Sequence, residues 1–179
     1  MSSPRRLIFA TSVEGMLKGL GPRAGASLRA GLRLRGFDVD RLPAAFPVEE
    51  WTPQVRFIAT TAFPELPLEA GLRKLGYAYM MGWKDTLMGS AVSSLLRVVG
   101  PVRSLPRLDR AFRTANNFTT SKAELLSATS ARLHLSDVYG LPTLWQGVLE
   151  GGLALINRQG EVQVEDAQPP GVTLFITWR

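Results

Sequence analysis

The stretch Val172–Trp178 constrains the fold most. Val172, Leu174, Ile176 and Trp178 recur at every second position with Thr173 and Thr177 between them, and Phe175 alone breaks the alternation. A period of two sends one set of side chains to a buried face and the other to solvent, so this is a strand in a half-buried sheet. Residues 117–178 continue the pattern as strand, strand, helix, strand, strand. Segments 118–126 and 131–138 pair around Ser127-Ala128-Thr129-Ser130, with Ala131, Leu133 and Leu135 alternating with Arg132, His134 and Ser136. Gly140-Leu141-Pro142-Thr143 introduces a helix with Trp145, Val148, Leu149, Gly152 and Ile156 on one face, and 161–167 pairs with 172–178 around Gln168-Pro169-Pro170-Gly171. The expected fold class is α+β. A helical N-terminal half (1–115) packs on a four-stranded antiparallel sheet built as β-β-α-β-β (116–179), within a single domain of 179 residues.

The helical half has its own punctuation. Thr11-Ser12-Val13-Glu14 has the spacing of a capping box, followed by Val13, Met16, Leu17 and Leu20 at helical spacing and a stop at Gly21-Pro22. A second helix is expected over 24–35, with Gly36 just beyond its end, and a third opens at Pro47 with Trp51, Val55 and Ile58 inward. Asp38-Val39-Asp40 lacks the further oxygen ligands of a calcium loop and reads as a solvated turn. One long helix is expected over 68–99. It carries Leu68, Leu72, Leu75 and Tyr79 as a stripe and Gly82, Gly89 and Ser93 as a line of small residues.

Each interior helix glycine costs about 1 kcal/mol relative to alanine, so another element should approach there, or room should be needed for a ligand. In the second case Tyr79, Trp83 and Leu87 line one wall of an apolar pocket, with Gly82 and Gly89 beside them. A homodimer interface along the same line is equally compatible. Gly100-Pro101 ends this helix, and a last one is expected over 102–115 with Arg103, Arg107, Arg110 and Arg113 mostly outward.

The chain has no cysteine and one histidine, His134, which removes thiolate chemistry and paired-histidine metal sites. Its net charge of +6 and pI near 10.3 invite an anionic partner. The charge is uneven, however. Met1–Arg41 holds eight Lys/Arg against three acids, whereas Leu133–Arg179 holds two against five, so the halves partly complement each other. Nucleic acid is disfavoured as a partner for that reason, and the arginines of 102–115 are the surface that would serve it. No secretory leader, membrane span, phosphate-binding glycine loop or nucleophile elbow is present, and Glu49-Glu50 and Glu165-Asp166 are adjacent pairs whose side chains diverge. The expectation is a cytoplasmic protein that is not an enzyme and uses no cofactor.

Three segments carry a resemblance: Leu7-Ile8-Phe9-Ala10-Thr11-Ser12-Val13-Glu14-Gly15, Phe112-Arg113-Thr114-Ala115-Asn116-Asn117-Phe118-Thr119, and the Gly147-x-Leu149-Glu150-Gly151 helix before a hairpin ending in Trp178. Together they resemble an uncharacterised paralogous family of myxobacterial proteins, across essentially the whole chain. More remotely, the order of elements resembles the superfamily of haem-nitric-oxide-binding domains, the four-vinyl-reductase domain and the TRAPP vesicle-tethering subunits. That resemblance implies a helical half on an antiparallel sheet, with a hydrophobic ligand or helix-mediated dimerisation. It does not carry the chemistry over. Haem in that superfamily needs a helix histidine, and His134 falls in a strand; the metal and acyl sites of the others need cysteines. Arg113, Asn116 and Asn117 match the family's polar segment, where asparagines at a helix-to-strand junction satisfy loose backbone groups. The sequence thus points to a ligand-binding or protein-interaction domain in signalling or regulation, pairing as a homodimer and holding a hydrophobic small molecule, with nucleic-acid or other anionic-partner binding through 102–115 as the alternative.

Overall fold

The alternation at 172–178 is realised as an inner strand. In the computed structural model, which describes residues 5–179 and only the backbone of Leu87, Met88, Val92 and Leu95, strands β3 (Ser121–Ser127), β4 (Ser130–Leu135), β5 (Gly160–Asp166) and β6 (Val172–Trp178) form an antiparallel sheet. Their order is β3-β4-β6-β5. β6 pairs with β4, Leu133 opposite Leu174 and Ala131 opposite Ile176, and on its other side with β5. Val172, Leu174, Ile176 and Trp178 are buried, as the period of two requires.

Helix α7 (Pro142–Leu155) connects the two hairpins and covers that face. Its Trp145, Val148, Leu149 and Leu153 share one core with Leu133, Leu135, Leu174 and Ile176. Gln146 Nε2 donates to the Val162 carbonyl at 2.6 Å and ties the helix to β5. The ββαββ half is therefore the expected one, with a tighter first turn: β3 and β4 are joined by Ala128-Thr129 alone.

The rest of the chain is helical apart from a short ladder. β1 (Leu7–Phe9) pairs antiparallel with β2 (Ala45–Pro47), three residues each, too short for a periodic signal. Helices α1 (Ala10–Leu20), α2 (Ala26–Leu34) and α3 (Val48–Ala62) surround a second core that includes Leu28, Leu32, Trp51 and Ile58. Phe37, Phe46 and Trp51 pack ring against ring within it, with centroids 5.2 to 5.8 Å apart.

Helix α4 (Leu68–Trp83) runs between α1 and α7 and touches both through glycines. A Cβ on Gly82 would overlap the Gly15 carbonyl and Gly19 amide, and one on Gly19 would overlap the Ala78 carbonyl. On the opposite side a Cβ on Gly76 would overlap the Leu144 carbonyl, and one on Gly147 the Arg73 carbonyl. Close approach of neighbouring helices thus offsets the glycine cost. At the second crossing Arg73 Nε donates to both carboxylate oxygens of Glu150, at 2.9 and 3.1 Å, and the ion pair holds the guanidinium pKa above its ordinary value.

Several helix boundaries differ from the sequence expectation. The helix expected over 68–99 is broken at residues 84–86, and α5 (Leu87–Ser104) starts afresh. Thr86 caps it, its hydroxyl accepting from the Gly89 amide at 3.0 Å and donating to the Trp83 carbonyl at 2.7 Å. Gly100, at φ 69°, kinks α5 where Pro101 has no amide to offer. The helix expected over 102–115 is instead the end of α5, a 3₁₀ turn Leu105–Arg107 containing Pro106, and α6 (Leu108–Phe112). The capping box does not form: α1 starts at Ala10, and the Thr11 hydroxyl donates to the Thr114 carbonyl at 2.9 Å. Among the described residues no helix is long and apolar enough to cross a membrane.

Candidate functional site: a cavity between two cores

The two cores meet at Tyr79 and Tyr139, the partly buried aromatic residues that pack against both. Between them lies a partly open cavity of about 110 Å³. Ile8, Met16 and Trp51 face it from the helical half, and Trp145, Val148 and Leu149 face it from α7. Leu105, Leu108 and Phe112 from the broken segment after the α5 kink form a further wall. Among the described residues, no Lys, Arg, Asp, Glu or His lines it. An engineered apolar cavity of roughly 150 Å³ stays dry and takes benzene, so this space is on the scale of one small ring.

The few polar groups around it are mostly engaged. Ser12 donates to the Ala115 carbonyl at 3.0 Å and lies beside the Tyr79 phenol. Burial raises the Tyr79 phenol pKa, and the Ser12 hydrogen bond offsets part of that rise. Asn116, 2% exposed, uses Oδ1 to accept from the Phe118 and Thr119 amides at 3.0 and 2.7 Å. The exception is Trp145. Its Nε1 is buried and has no hydrogen-bond partner, although the ring is fixed edge-on against Phe112 (5.0 Å, 89°) and against Tyr139 (6.1 Å, 67°).

Tyr139 reaches this position by an uncommon backbone, φ 41°, followed by Gly140 at φ 70°. Asp137 holds the turn: Oδ1 accepts the Tyr139 amide at 2.9 Å, and Oδ2 accepts from Arg6 at 2.6 Å. Arg6 also donates to Glu49 at 2.8 Å and lies over the Phe118 ring, 5.6 Å from its centroid. These two carboxylates raise the Arg6 pKa. Burial, with Tyr79 and Asp137 nearby, raises the Tyr139 phenol pKa strongly.

The residues singled out from the sequence fall in different places. Tyr79 and Trp83 line the cavity. Gly82 and Gly89 do not clear space for it: the first meets α1, and a Cβ on the second would overlap the Trp83 carbonyl. The small-residue line is therefore taken up by contacts within the chain. The side chain of Leu87 lies outside the described residues. Asn117 stitches the junction to β1, Oδ1 accepting the Leu7 amide at 2.8 Å and Nδ2 donating to the Arg5 carbonyl at 3.1 Å. Arg113 is exposed and pairs with Asp109 at 3.0 Å. Arg103, Arg107 and Arg110 are exposed too, but the kink and the 3₁₀ turn place Arg103 near the end of α5, Arg107 in the 3₁₀ turn, Arg110 in α6 and Arg113 just past it, rather than on one helix face. His134 stands on the outer face of β4, its Nδ1 3.4 Å from Thr173 Oγ1.

Sequence reasoning missed Tyr139 and the orphan N–H of Trp145. Gly140-Leu141-Pro142-Thr143 signals the entry to a helix, and Trp145 is legible as part of that helix's apolar face. Neither signal says which side chain is left without a partner.

The architecture has solved counterparts. A doubly substituted Tt H-NOX has a TM-score of 0.71 at 14% identity, over 96% of this chain and 95% of that one. An H-NOX protein from S. oneidensis in the Fe(II)NO ligation state gives 0.69 at 14%, over 96% and 99%. An oxygen-binding H-NOX domain related to soluble guanylate cyclases, solved as the oxygen complex, gives 0.66 at 14%, over 96% and 95%. At such identity the likeness is one of fold, and at that level the resemblance to haem-nitric-oxide-binding domains is borne out. No curated protein sequence matches the chain. Residues 6–179 match a family described as "Protein of unknown function (DUF2378)".

Proposed function

The chain belongs to that DUF2378 family, and we propose that it is a non-enzymatic sensor domain that binds a small apolar molecule between its helical half and its sheet. The observation that carries this reading is the cavity of about 110 Å³ at the junction of the two cores, lined by no charged side chain among the described residues. Proteins pack their interiors densely, and a void costs roughly 24 cal/mol per Å³. A fully closed void of this size would cost about 2.6 kcal/mol, which sets an upper bound on what a ligand filling this partly open space recovers. Among the described residues the lining has no carboxylate, histidine or cysteine to act as acid, base or nucleophile, which supports binding rather than catalysis. Placement between two separately packed halves suits a sensor, since an occupant touches both and its binding energy depends on how they sit together.

The descriptions of the structural neighbours mention Fe(II)NO and oxygen complexes, so haem is the group to test against this cavity. Haem iron needs an axial donor, usually histidine or cysteinate and in some proteins methionine or tyrosinate. Among the described residues, the donors lining the cavity are the Met16 and Met80 thioethers and the Tyr79 and Tyr139 phenols. Burial raises both phenol pKa values, opposing the phenolate that iron would require. Among the described residues no Lys or Arg lines the cavity to meet the haem carboxylates, and the space suits one ring rather than a macrocycle. The residues present do not fit haem.

Native mass spectrometry of gently purified protein tests the reading, with Gly152→Leu as control. Gly152 lines the cavity, and a Cβ there meets nothing within 4 Å, so a leucine at this position is expected to occupy part of the space. The expected result is a non-covalent small-molecule adduct on the wild type that the variant lacks. An adduct retained equally by the folded variant would place binding elsewhere and overturn the assignment.

A further inference from the structure

Resting on the ligand-binding reading, the question is what chemistry the cavity selects. Charge is disfavoured on both signs: no ionised side chain lines the space among the described residues, and an unpaired buried ion costs several kcal/mol. Size limits the apolar body to about one ring. One more feature narrows the class. Trp145 is 4% exposed and its Nε1 has no hydrogen-bond partner. The indole N–H can only donate, and a buried donor without an acceptor costs about 1–3 kcal/mol. Phe112 and Tyr139 hold the ring edge-on, so the group cannot swing to a distant acceptor without breaking both contacts. Their faces offer only the weak N–H to π alternative.

We propose that the cavity selects an uncharged, one-ring-sized ligand bearing a hydrogen-bond acceptor, and that the Trp145 indole N–H is the donor that recognises it. The ring fills the apolar space beside Val148 and Leu149, and the acceptor, a carbonyl or ether oxygen, takes the hydrogen bond that this buried N–H otherwise lacks. Selectivity then has a simple basis. Hydrocarbons of the same size gain the burial but leave the N–H unpaired, whereas acids and amines must shed their charge to enter.

Two probes separate these elements: toluene, a ring without an acceptor, and acetophenone, a ring with a carbonyl. Each is titrated calorimetrically into wild type and Trp145→Phe, and the indole N–H resonances of the four tryptophans are followed by nitrogen-edited NMR, the variant identifying the Trp145 signal. The expected result is that both probes bind and that acetophenone moves the Trp145 N–H downfield. The variant should weaken acetophenone by roughly 3- to 10-fold more than toluene, the reach of one neutral hydrogen bond. If toluene and acetophenone lose affinity equally, or the Trp145 N–H stays in place on saturation with acetophenone, the acceptor assignment fails while the ligand site stands. If neither probe binds at millimolar concentration, the one-ring class fails, and the native mass adduct judges the broader reading separately. Stoichiometric haemin binding that toluene displaces would overturn the neutral class. If the phenylalanine variant does not fold, sequential resonance assignment of the wild type identifies the Trp145 signal among the four tryptophans, and its shift with acetophenone then decides the matter.

Discussion

Replacing Gly152 with alanine should stabilise the protein, whereas the same change at Gly147, earlier in the same helix, should destabilise it. Both sites lie inside α7 and both gain about 1 kcal/mol of helix propensity from a methyl group. They differ in what that methyl meets. At Gly152, which lines the cavity, it finds nothing within 4 Å, so it is accommodated without collision and adds up to about 0.8 kcal/mol of apolar burial. The expected gain is about 1–2 kcal/mol, or roughly 2–8 °C in Tm for a chain of this size. At Gly147 it overlaps the Arg73 carbonyl and comes within 3.0 Å of the Tyr77 amide. Both are backbone atoms of α4, so no side chain can move aside and the helices must part. Overpacking costs about 1–3 kcal/mol, and backbone collisions belong at the upper end, leaving a net loss of about 1–2 kcal/mol. Urea denaturation with a shared m-value measures both changes. Destabilisation by the Gly152 change, or a shift in the same direction at both sites, would refute the assignment of one glycine to the cavity and the other to the helix crossing.

Other consequences follow from the same contacts. Asn116→Ala removes the acceptor for two amides, one of them on fully buried Thr119, and should cost about 2–3 kcal/mol in equilibrium unfolding. A double-mutant cycle with Arg73→Met and Glu150→Gln should give a coupling of about 0.5–1 kcal/mol, because the pair is bidentate but the arginine is half exposed; no measurable coupling would make the α4–α7 clamp ornamental. Stability should fall in alkali: the folded state holds the Tyr79 and Tyr139 phenols above the ordinary pKa of 10, so the unfolded state loses those protons first. The contribution of the neutral phenols is complete below about pH 10 and declines as the pH rises beyond it. Unfolding midpoints on either side of that pH should converge when both tyrosines are replaced by phenylalanine.

The sheet half was legible because its signal is local. A period of two in β6 says which side chains face inward whatever the partner strand, and α7 advertised its buried stripe in the same way. The helical half was less legible because its decisive contacts are between backbones. Gly19, Gly76, Gly82 and Gly147 each announced a cost, but sequence does not reveal that Gly82 meets α1 while Gly76 meets α7. The break at residues 84–86 rests on one threonine cap, a weak signal beside the continuous helical pattern that spans it. β1 and β2 are each too short to show a period. The spacing of four puts Tyr79 and Trp83 on one helix face, and a pocket wall there is one of the readings that the sequence leaves open beside helix packing and a dimer interface. The roles of Trp145 and Tyr139 were not legible, because they depend on a space left between two cores and on a donor without a partner, neither of which is encoded locally.

A crystal structure grown in the presence of toluene tests the central claim most directly. The account predicts ring-shaped density between Tyr79 and Trp145, in contact with Phe112 and Leu149, with the glycine crossings of α4 unchanged. A junction in which the side chains of α5, α6 and α7 meet without intervening space, or toluene bound only elsewhere, would contradict it.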